Sequence, residues 1–205
     1  GVLTPSQTAQ IANIAHTAGA KVHLDGARLF NASIALEVPV TELTKDVDDV
    51  SFCLSKALSC PVGSVLCGSK EFIQEALRWR KMVGGGMRQA GVLAAAGLVA
   101  LDNMIDRLAD DHANARQLAT GIANIKGLKI DPETISTNIV IFDIDPSVGQ
   151  ASKVIAALKD QDVLVSSPSP NSIRMVTHRH ITGPDIEQAL AITSKVVSSM
   201  ASNSK

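Results

Sequence analysis

The first half of the chain alternates between segments in which apolar residues recur at helical spacing and short apolar runs typical of strands. Residues 4–18 have the helical spacing. Thr4 is the predicted N-cap, Pro5 lies in the first turn, and Gly19 ends the helix. The predicted strands are KVHLDG, DDVSFCLS and GSVLCG. The later helical segments are ARLFNASIAL, SKEFIQEALRWRK with Ser69 as N-cap, and a long stretch from Met87 to Asn124.

The second half predicts a separate, smaller set of elements. Its strand-like runs are GLKID, NIVIFDI, VLVS and SIRMVT, and its helical segments are QASKVIAALKDQ and GPDIEQALAITSKVVSSM. Strands that alternate with helices indicate an α/β fold in which this half has its own core. We place the domain boundary near residue 112, which predicts domains at 1–112 and 113–205. The first is expected to hold a mostly parallel sheet with helices on both faces, because the VSFCL part of the strand DDVSFCLS is nearly continuous in apolar character.

Composition and charge argue against several classes of partner. The 205 residues carry a net charge of −1, 45% of them are hydrophobic, and only 2% are aromatic. This balance offers no basic surface for nucleic acid or anionic lipid, and no platform on which single-stranded bases stack. No apolar run is long enough to span a bilayer. We therefore expect neither a nucleic-acid partner nor a membrane partner.

The cysteines indicate the compartment. Cys53, Cys60 and Cys67 are odd in number and lie seven residues apart, which fits neither a disulfide framework nor a CxxC metal site. We interpret them as reduced thiols and expect a cytoplasmic protein that holds no metal ion.

A single lysine interrupts an otherwise uncharged stretch. Lys56 is the only charged residue between Ser51 and Ser69. It follows a predicted strand, and ligands bind at the carboxyl edge of open α/β sheets. Because apolar surroundings disfavour the charged form of an amine, a lysine held there is available for covalent chemistry with an aldehyde. The alternative is a surface lysine whose aliphatic stem covers apolar neighbours.

An aspartate occupies the matching position on the preceding strand. Asp25 ends the strand in VHLDGAR. If the two strands are parallel neighbours, Asp25 and Lys56 emerge at the same edge. An acid paired with a lysine is the pattern that pyridoxal 5′-phosphate (PLP) requires, because the lysine holds the aldehyde and the carboxylate keeps the ring nitrogen protonated. On its own, Asp25 also fits a turn or an N-cap. His23 shares the same strand face, either as a core histidine or as a support for the cofactor region.

Two arginines complete the set of candidates. Arg88 follows three glycines in VGGGMRQ. The main-chain N–H groups of such a loop, together with the start of the next helix, are able to bind an anion. The alternative is a loop that only ends the preceding helix. Arg174 lies in the apolar strand SIRMVTH. Arginine suits bidentate capture of a carboxylate, and the alternative is a charge that protects an edge strand.

Together, HLDGARLFNA, SFCLSKALSCPVGSVLCGS and RWRKMVGGGMRQAGVLAAAGLVALD resemble the low-specificity L-threonine aldolases, and IRMVTH is similar to their C-terminal substrate-binding strand. The resemblance covers essentially the whole chain. It implies the aspartate-aminotransferase fold, PLP as cofactor, and cleavage of β-hydroxy-α-amino acids such as L-threonine and L-allo-threonine to glycine and an aldehyde. It also implies a role in threonine catabolism and glycine biosynthesis, and a homotetramer built as a dimer of dimers.

The same resemblance implies a role for each matching residue. Lys56 matches the lysine that is bonded to the cofactor, and Asp25 matches the partner of the pyridine nitrogen. Arg28 matches an arginine near the ring hydroxyl and the substrate carboxylate. Arg174 matches the residue that grips that carboxylate, and Arg88 matches an arginine that reaches toward the cofactor phosphate region.

Two departures from the family pattern are visible. Ala57 follows the lysine where the family usually has glycine, which is tolerated unless the turn needs a positive φ. The glycine loop that cradles the phosphate, and two histidines that precede the first helix in the family, have no counterpart. We therefore expect a fragment that binds PLP poorly by itself. The alternative functions are another PLP-dependent lyase or transaminase, and a remnant without turnover.

Overall fold

The computed structural model describes residues 1–203. Its helices are α1 (Pro5–Thr17), α2 (Leu29–Leu36), α3 (Val40–Thr44), α4 (Lys70–Met82), α5 (Gly91–Asn103), α6 (Leu108–Ala123), α7 (Ala151–Lys159) and α8 (Gly183–Asn203). Its strands are β1 (His23–Asp25), β2 (Asp49–Cys53), β3 (Ser64–Gly68), β4 (Leu128–Lys129), β5 (Ile139–Ile144), β6 (Ser166–Ser169) and β7 (Ser172–Val176). Val2–Leu108 form one compact unit, and a second unit begins at Ala109.

The first unit contains a three-stranded sheet in the order β1-β2-β3. β1 and β2 run parallel, as the sequence predicts for the strands that precede Lys56. β3 runs antiparallel to β2, so the expected predominance of parallel pairing does not hold among these three strands. The reason is the short connection between β2 and β3, because residues 54–63 are too few for the crossover that a parallel neighbour requires.

A small apolar core supports the first sheet. Phe30 of α2 and Phe52 of β2 meet edge to face, with ring centroids 5.3 Å apart. Leu54 and Leu58, from the segment that follows β2, are buried in the same cluster together with Ala100 of α5. The segment after β2 is therefore fixed by apolar side chains on both sides of Lys56.

The caps of two helices confirm their predicted starts. Thr4 accepts a hydrogen bond from the Gln7 N–H, and the Gln7 side chain accepts one from the Thr4 N–H, which is a complete capping box for α1. Ser69 caps α4 by accepting from the Phe72 N–H. Gly19 has a φ of 73° just beyond α1, so the predicted helix end is also confirmed.

The predicted long helix over 87–124 is two helices. α5 ends at Asn103, whose side-chain amide donates to the Val99 carbonyl, and α6 starts only at Leu108. An Asp-Asn pair at this point offers side-chain hydrogen bonds that compete with the helical backbone, which favours a helix end. The apolar residues continue through the break, and this continuity explains why the sequence suggests one helix.

Two further elements differ from the expectations. The short helix Val40–Thr44 is not among the predicted elements; it starts directly after Pro39, which disfavours continuation of the preceding helix. Most of the predicted strand VLVS is not a strand: β6 begins only at its last residue, Ser166, and Val163 and Val165 precede it and pack against the core of the second unit. Burial of the two valines produces the alternation that resembles a strand.

The second unit is built on a four-stranded antiparallel sheet in the order β4-β5-β7-β6. Alternate residues of its two central strands are buried and form one core with side chains of α6, α7 and α8; on the strands they are Val140, Phe142, Ile144, Ile173 and Met175. Arg174 and its cross-strand neighbour Ile141 lie on the opposite face and are exposed. This face of the sheet therefore presents a charged side chain to the surroundings.

The described residues hold three free thiols. Cys53 is half-buried, Cys60 is buried and Cys67 is exposed. Burial raises the pKa of the Cys60 thiol, which lies 3.5 Å from the Ala96 carbonyl. Within residues 1–203, no cluster of three or more His, Cys, Asp or Glu side chains is arranged to hold a metal ion. None of the helices described is long and apolar enough to cross a membrane.

One aspartate ties α1 to the sheet. Asp48, just before β2, accepts hydrogen bonds from Lys21 at 2.7 Å and from the Val22 N–H at 2.8 Å. Its second oxygen also lies 2.8 Å from Nε2 of His16 in the last turn of α1. The Lys21 ammonium, the Val22 N–H and His16 hold the pKa of Asp48 well below its ordinary value of 3.8.

We predict that Asp48→Asn lowers the melting temperature at neutral pH, because the amide is neutral and also replaces one acceptor oxygen by a donor. Because the pKa of Asp48 is lowered by folding, its contribution is complete above the ordinary pKa and is lost as the pH falls below it. The melting temperatures of the two proteins, measured by circular dichroism, should therefore converge in acid. A constant difference down to pH 2 would contradict this account.

Candidate functional site

Two predicted site residues emerge at one edge of the first sheet. Asp25 is the last residue of β1, and Lys56 follows the end of β2 by three residues. Because β1 and β2 are parallel, both residues lie at the carboxyl ends of adjacent strands. Both side chains are exposed. The expectation of a lysine in apolar surroundings is therefore not met by the described residues, since Lys56 itself is open to solvent even though Ala57 and Leu58 beside it are buried.

Lys56 stands on a tightly bonded loop. The Leu54 N–H donates to the Gly63 carbonyl at 2.9 Å, and the Cys60 N–H donates to the Leu54 carbonyl at 3.0 Å. Within the loop, the Ser59 N–H donates to the Lys56 carbonyl at 2.9 Å. These bonds close the loop at its base and leave the Lys56 side chain as the part that projects.

The departure at position 57 is harmless to the loop backbone. The positive φ values in this loop belong to Ser59 at 63° and Gly63 at 109°, and Ala57 does not have one. The methyl group of Ala57 is buried with 6% exposure, so it adds apolar contact under the lysine. A glycine at position 57 is therefore not required by this turn.

Asp25 is held by a turn that only glycine allows. Oδ1 of Asp25 accepts from the Ala27 N–H at 3.1 Å. Between them, Gly26 is buried and donates to the Ser51 carbonyl at 2.8 Å. A Cβ at position 26 would lie 2.9 Å from that same carbonyl oxygen, so a side chain there would push β1 away from β2. Arg28 follows as the half-buried N-cap residue of α2.

Sequence reasoning missed Asp49 and Ser51, the two polar residues of β2 that lie beside His23 and Asp25. His23 shares the strand face, as predicted, but it is not a core histidine, since its side chain is 50% exposed. Its Nδ1 bonds Oδ1 of Asp49, and its Nε2 lies 3.4 Å from Oγ of Ser51. The signal that was available is a period of two on both strands, with polar residues at 23 and 25 and again at 49 and 51.

The three glycines before Arg88 complete a helix end. The Gly84 N–H donates to the Lys81 carbonyl at 3.1 Å, and the Gly85 N–H donates to the Arg80 carbonyl at 2.7 Å. These two donors are therefore occupied at the carboxyl end of α4, which favours the helix-breaking interpretation over an anion loop. Arg88 lies exposed in the turn before α5.

Arg174 belongs to the second unit, where it lies on the exposed face of the antiparallel sheet. Its Nε donates to Oγ of Ser166 on the neighbouring strand at 3.2 Å. This bond fixes the guanidinium plane while leaving its two terminal nitrogens for a ligand. Of the candidate residues, Asp25, Arg28 and Lys56 thus lie at one edge of the first sheet. Arg88 lies in the turn before α5, and Arg174 lies on the sheet of the second unit.

Comparisons with known proteins place this arrangement in a family. The family model described as beta-eliminating lyase matches residues 1–145. Low-specificity L-threonine aldolase 1 of Arabidopsis thaliana is 42% identical over 204 residues, which cover 99% of this chain and 57% of the relative. The chain spans about half the length of the curated relatives it matches, at 53%, 57% and 49% of three of them.

Solved structures share the fold. A crystal structure from Exiguobacterium sp. 255-15, described as a candidate aromatic amino acid beta-eliminating lyase/threonine aldolase, has a TM-score of 0.79 at 20% identity and covers 96% of this chain and 58% of its own. A high-resolution structure of SPT with PLP has a TM-score of 0.70 at 21% identity and covers 93% and 50%. These likenesses confirm the predicted α/β fold class, and the match over residues 1–145 shows that the chain belongs to the beta-eliminating lyase family.

Proposed function

We propose that the polypeptide carrying this sequence is a PLP-dependent aldolase that cleaves L-threonine, L-allo-threonine and related β-hydroxy-α-amino acids to glycine and an aldehyde. The observation that carries this proposal is the emergence of Asp25 and Lys56 at one edge of two parallel strands. The relatives named low-specificity L-threonine aldolases support the reaction, and the SPT structure with PLP supports the cofactor. The same relatives support a place in threonine catabolism and glycine formation.

The side chains at this edge fit the groups that PLP offers. An amine at Lys56 suits an aldehyde, and a carboxylate at Asp25 suits a protonated pyridine nitrogen. One oxygen of Asp25 is bonded to the Ala27 N–H, which leaves the other for a second donor. When bound, PLP supplies an aldehyde that captures amino groups and a ring that takes up the electron pair released at the substrate α-carbon.

The three candidate residues at this sheet edge then each have a definable role. Lys56 anchors the cofactor from a loop whose base is closed by three main-chain hydrogen bonds, so little ordering is needed on binding. Asp25 holds a proton on the ring nitrogen, because a carboxylate facing an N–H favours the charged pyridinium. Arg28, three residues further on, is placed to add positive charge near the same edge.

The substrate carboxylate is assigned to Arg174. The Ser166 hydroxyl occupies Nε, so the two terminal nitrogens of the guanidinium remain for bidentate binding. Arg88 is assigned to the cofactor phosphate, for which its exposed position before α5 leaves it free to approach an anion. Two of the three glycine-loop donors are used within α4, so this assignment rests on the arginine side chain rather than on the loop backbone.

We also propose that the protein forms a homo-oligomer, a dimer of dimers, in the cytoplasm. Support comes from an apolar stripe formed by Phe72, Ala76 and Trp79 of α4 and by its C-cap residue Val83, which recur at helical spacing. Trp79 is 55% exposed and Val83 is 80% exposed, and exposed apolar surface of this kind is typical of subunit contacts. The three free thiols support a reducing compartment.

We expect the polypeptide that carries this sequence to convert L-threonine to equal amounts of glycine and acetaldehyde, and Lys56→Ala to reduce this turnover to the background rate. The reason is that Lys56 is the only lysine in the loop of residues 54–63, between β2 and β3, that follows the strand beside Asp25. Lys70→Ala, which removes an exposed lysine at the start of α4, serves as the matched control and should keep wild-type activity. The products are measured by chromatography.

Borohydride reduction of the PLP-loaded protein, followed by peptide mass spectrometry, tests the same assignment without turnover. The label should appear on Lys56. A label on another lysine would overturn the assignment of Lys56. In the product analysis, formation of a keto acid from the amino acid in place of glycine would overturn the aldolase proposal in favour of a different PLP-dependent reaction.

For Arg174 we predict that replacement by alanine raises KM for L-threonine by about 10- to 100-fold, because a charge-assisted bidentate contact is lost. Ser166→Ala should raise KM by less, since it only releases the guanidinium from its Nε partner. Arg179→Ala, an exposed arginine in the turn that follows β7, is the control. An unchanged KM in Arg174→Ala would remove this residue from the substrate site.

Light scattering tests the proposed assembly. We expect a mass well above that of one chain, and Val83→Glu should shift the population toward smaller species because it places a charge in the apolar stripe. Leu164→Glu is the matched control, since Leu164 is an apolar residue of the second unit with a similar exposure of 78%. A monomer at high concentration in the wild type would contradict the proposal.

A further inference from the structure

Four polar side chains lie in two layers on one face of the first sheet. The parallel register places Asp25 opposite Ser51 at the carboxyl edge, and His23 opposite Asp49 one layer below. Residues two apart on a strand point to the same face, so all four side chains share it. The bonds of the His23 ring to Asp49 and Ser51 agree with this placement.

The lower layer is fixed by a buried carboxylate. The Asp49 side chain is only 10% exposed. Gly68 lies opposite it on β3, where a Cβ would come within 3.1 Å of the Asp49 Cβ and 2.6 Å of Phe72. A carboxylate packed against this wall is costly unless it accepts a hydrogen bond, and the described bond to it comes from Nδ1 of His23. Asp49 therefore sets both the orientation and the tautomer of the ring.

The ring in turn decides where the proton of Ser51 points. With Nδ1 donating to Asp49, Nε2 of the neutral imidazole is an acceptor, so the Ser51 hydroxyl at 3.4 Å is the donor in that contact. Ser51 is the cross-strand neighbour of Asp25, and adjacent strands lie about 4.8 Å apart. Because Asp25 is the cross-strand partner of Ser51 on the same face, a hydroxyl released from the ring would be able to turn toward the Asp25 carboxylate.

We propose that His23, oriented by Asp49, is a positioning residue that holds the Ser51 proton away from Asp25 and so keeps that carboxylate available for the cofactor ring nitrogen. This inference rests on the proposed function, since it concerns the availability of Asp25 for PLP. A hydroxyl that donates to Asp25 competes with the ring N–H for the same oxygens, and it also makes the carboxylate a weaker acceptor. His23 and Asp49 act through Ser51 and do not touch the reacting atoms.

The tautomer of His23 is the first test, and it needs no cofactor. ¹⁵N NMR of the imidazole in the unloaded protein, at a pH where the ring is neutral, should show the proton on Nδ1. Asp49→Asn should abolish this preference, because an amide is able to donate to the ring as well as accept from it. A proton on Nε2 in the wild type would overturn the proposal, whatever the protein catalyses.

The second test is a rescue experiment read by PLP titration. His23→Asn keeps a donor near Asp49, because the asparagine amide nitrogen replaces Nδ1, but it removes the acceptor for Ser51. We expect it to weaken PLP binding about three- to tenfold, the size of one hydrogen bond. Ser51→Ala should bind within about twofold of wild type, and the double variant should recover to the same level.

The rescue separates positioning from a structural role. If His23 only stabilised the fold, removal of a second side chain would not restore binding, and a double variant as weak as His23→Asn would overturn the proposal. Asp49→Asn with and without Ser51→Ala repeats the comparison from the other side of the ring. Asp48→Asn is the matched control, since it removes the neighbouring acid and its His16 contact but should leave PLP binding unchanged. The titration uses the polypeptide that carries this sequence, and failure of its wild type to bind PLP would overturn the proposed function and, with it, this inference.

Discussion

The site depends on the parallel pairing of β1 and β2. This pairing sets Asp25 beside Ser51 and His23 beside Asp49, and it brings the start of the Lys56 loop to the same edge as Asp25. A shift of one residue would turn His23 and Asp25 to the apolar face, because side chains alternate along a strand. Gly26 permits the pairing, since a Cβ there would lie 2.9 Å from the Ser51 carbonyl. The chemistry assigned to the edge therefore requires close contact between two backbones.

The sequence alone predicts the parts of this site that depend on local signals. The end of β1, the cap of α1 and the position of Lys56 after a strand follow from strand and cap patterns within a few residues. The partnership of His23 with Asp49 does not follow, because it depends on a register between segments that lie 26 residues apart. The break before α6 was also missed, since the apolar pattern continues across it.

The glycines near Arg88 illustrate a different limit of sequence reasoning. A run of three glycines is compatible with an anion loop and with a helix end, and composition does not separate the two. The N–H groups of Gly84 and Gly85 bond the last carbonyls of α4, so the backbone is used locally. The antiparallel direction of β3 is also not predictable from its apolar pattern. It is determined by the short loop between β2 and β3.

The order of the first sheet leaves β1 at its margin. Within the part of the chain that is described, β1 pairs on one side only, with β2, and its other side presents main-chain donors and acceptors over three residues. Such a margin is a template on which a further strand is able to dock through backbone hydrogen bonds. A strand added there would lie alongside Asp25, so the sheet is open to enlargement on the flank where the catalytic acid is assigned.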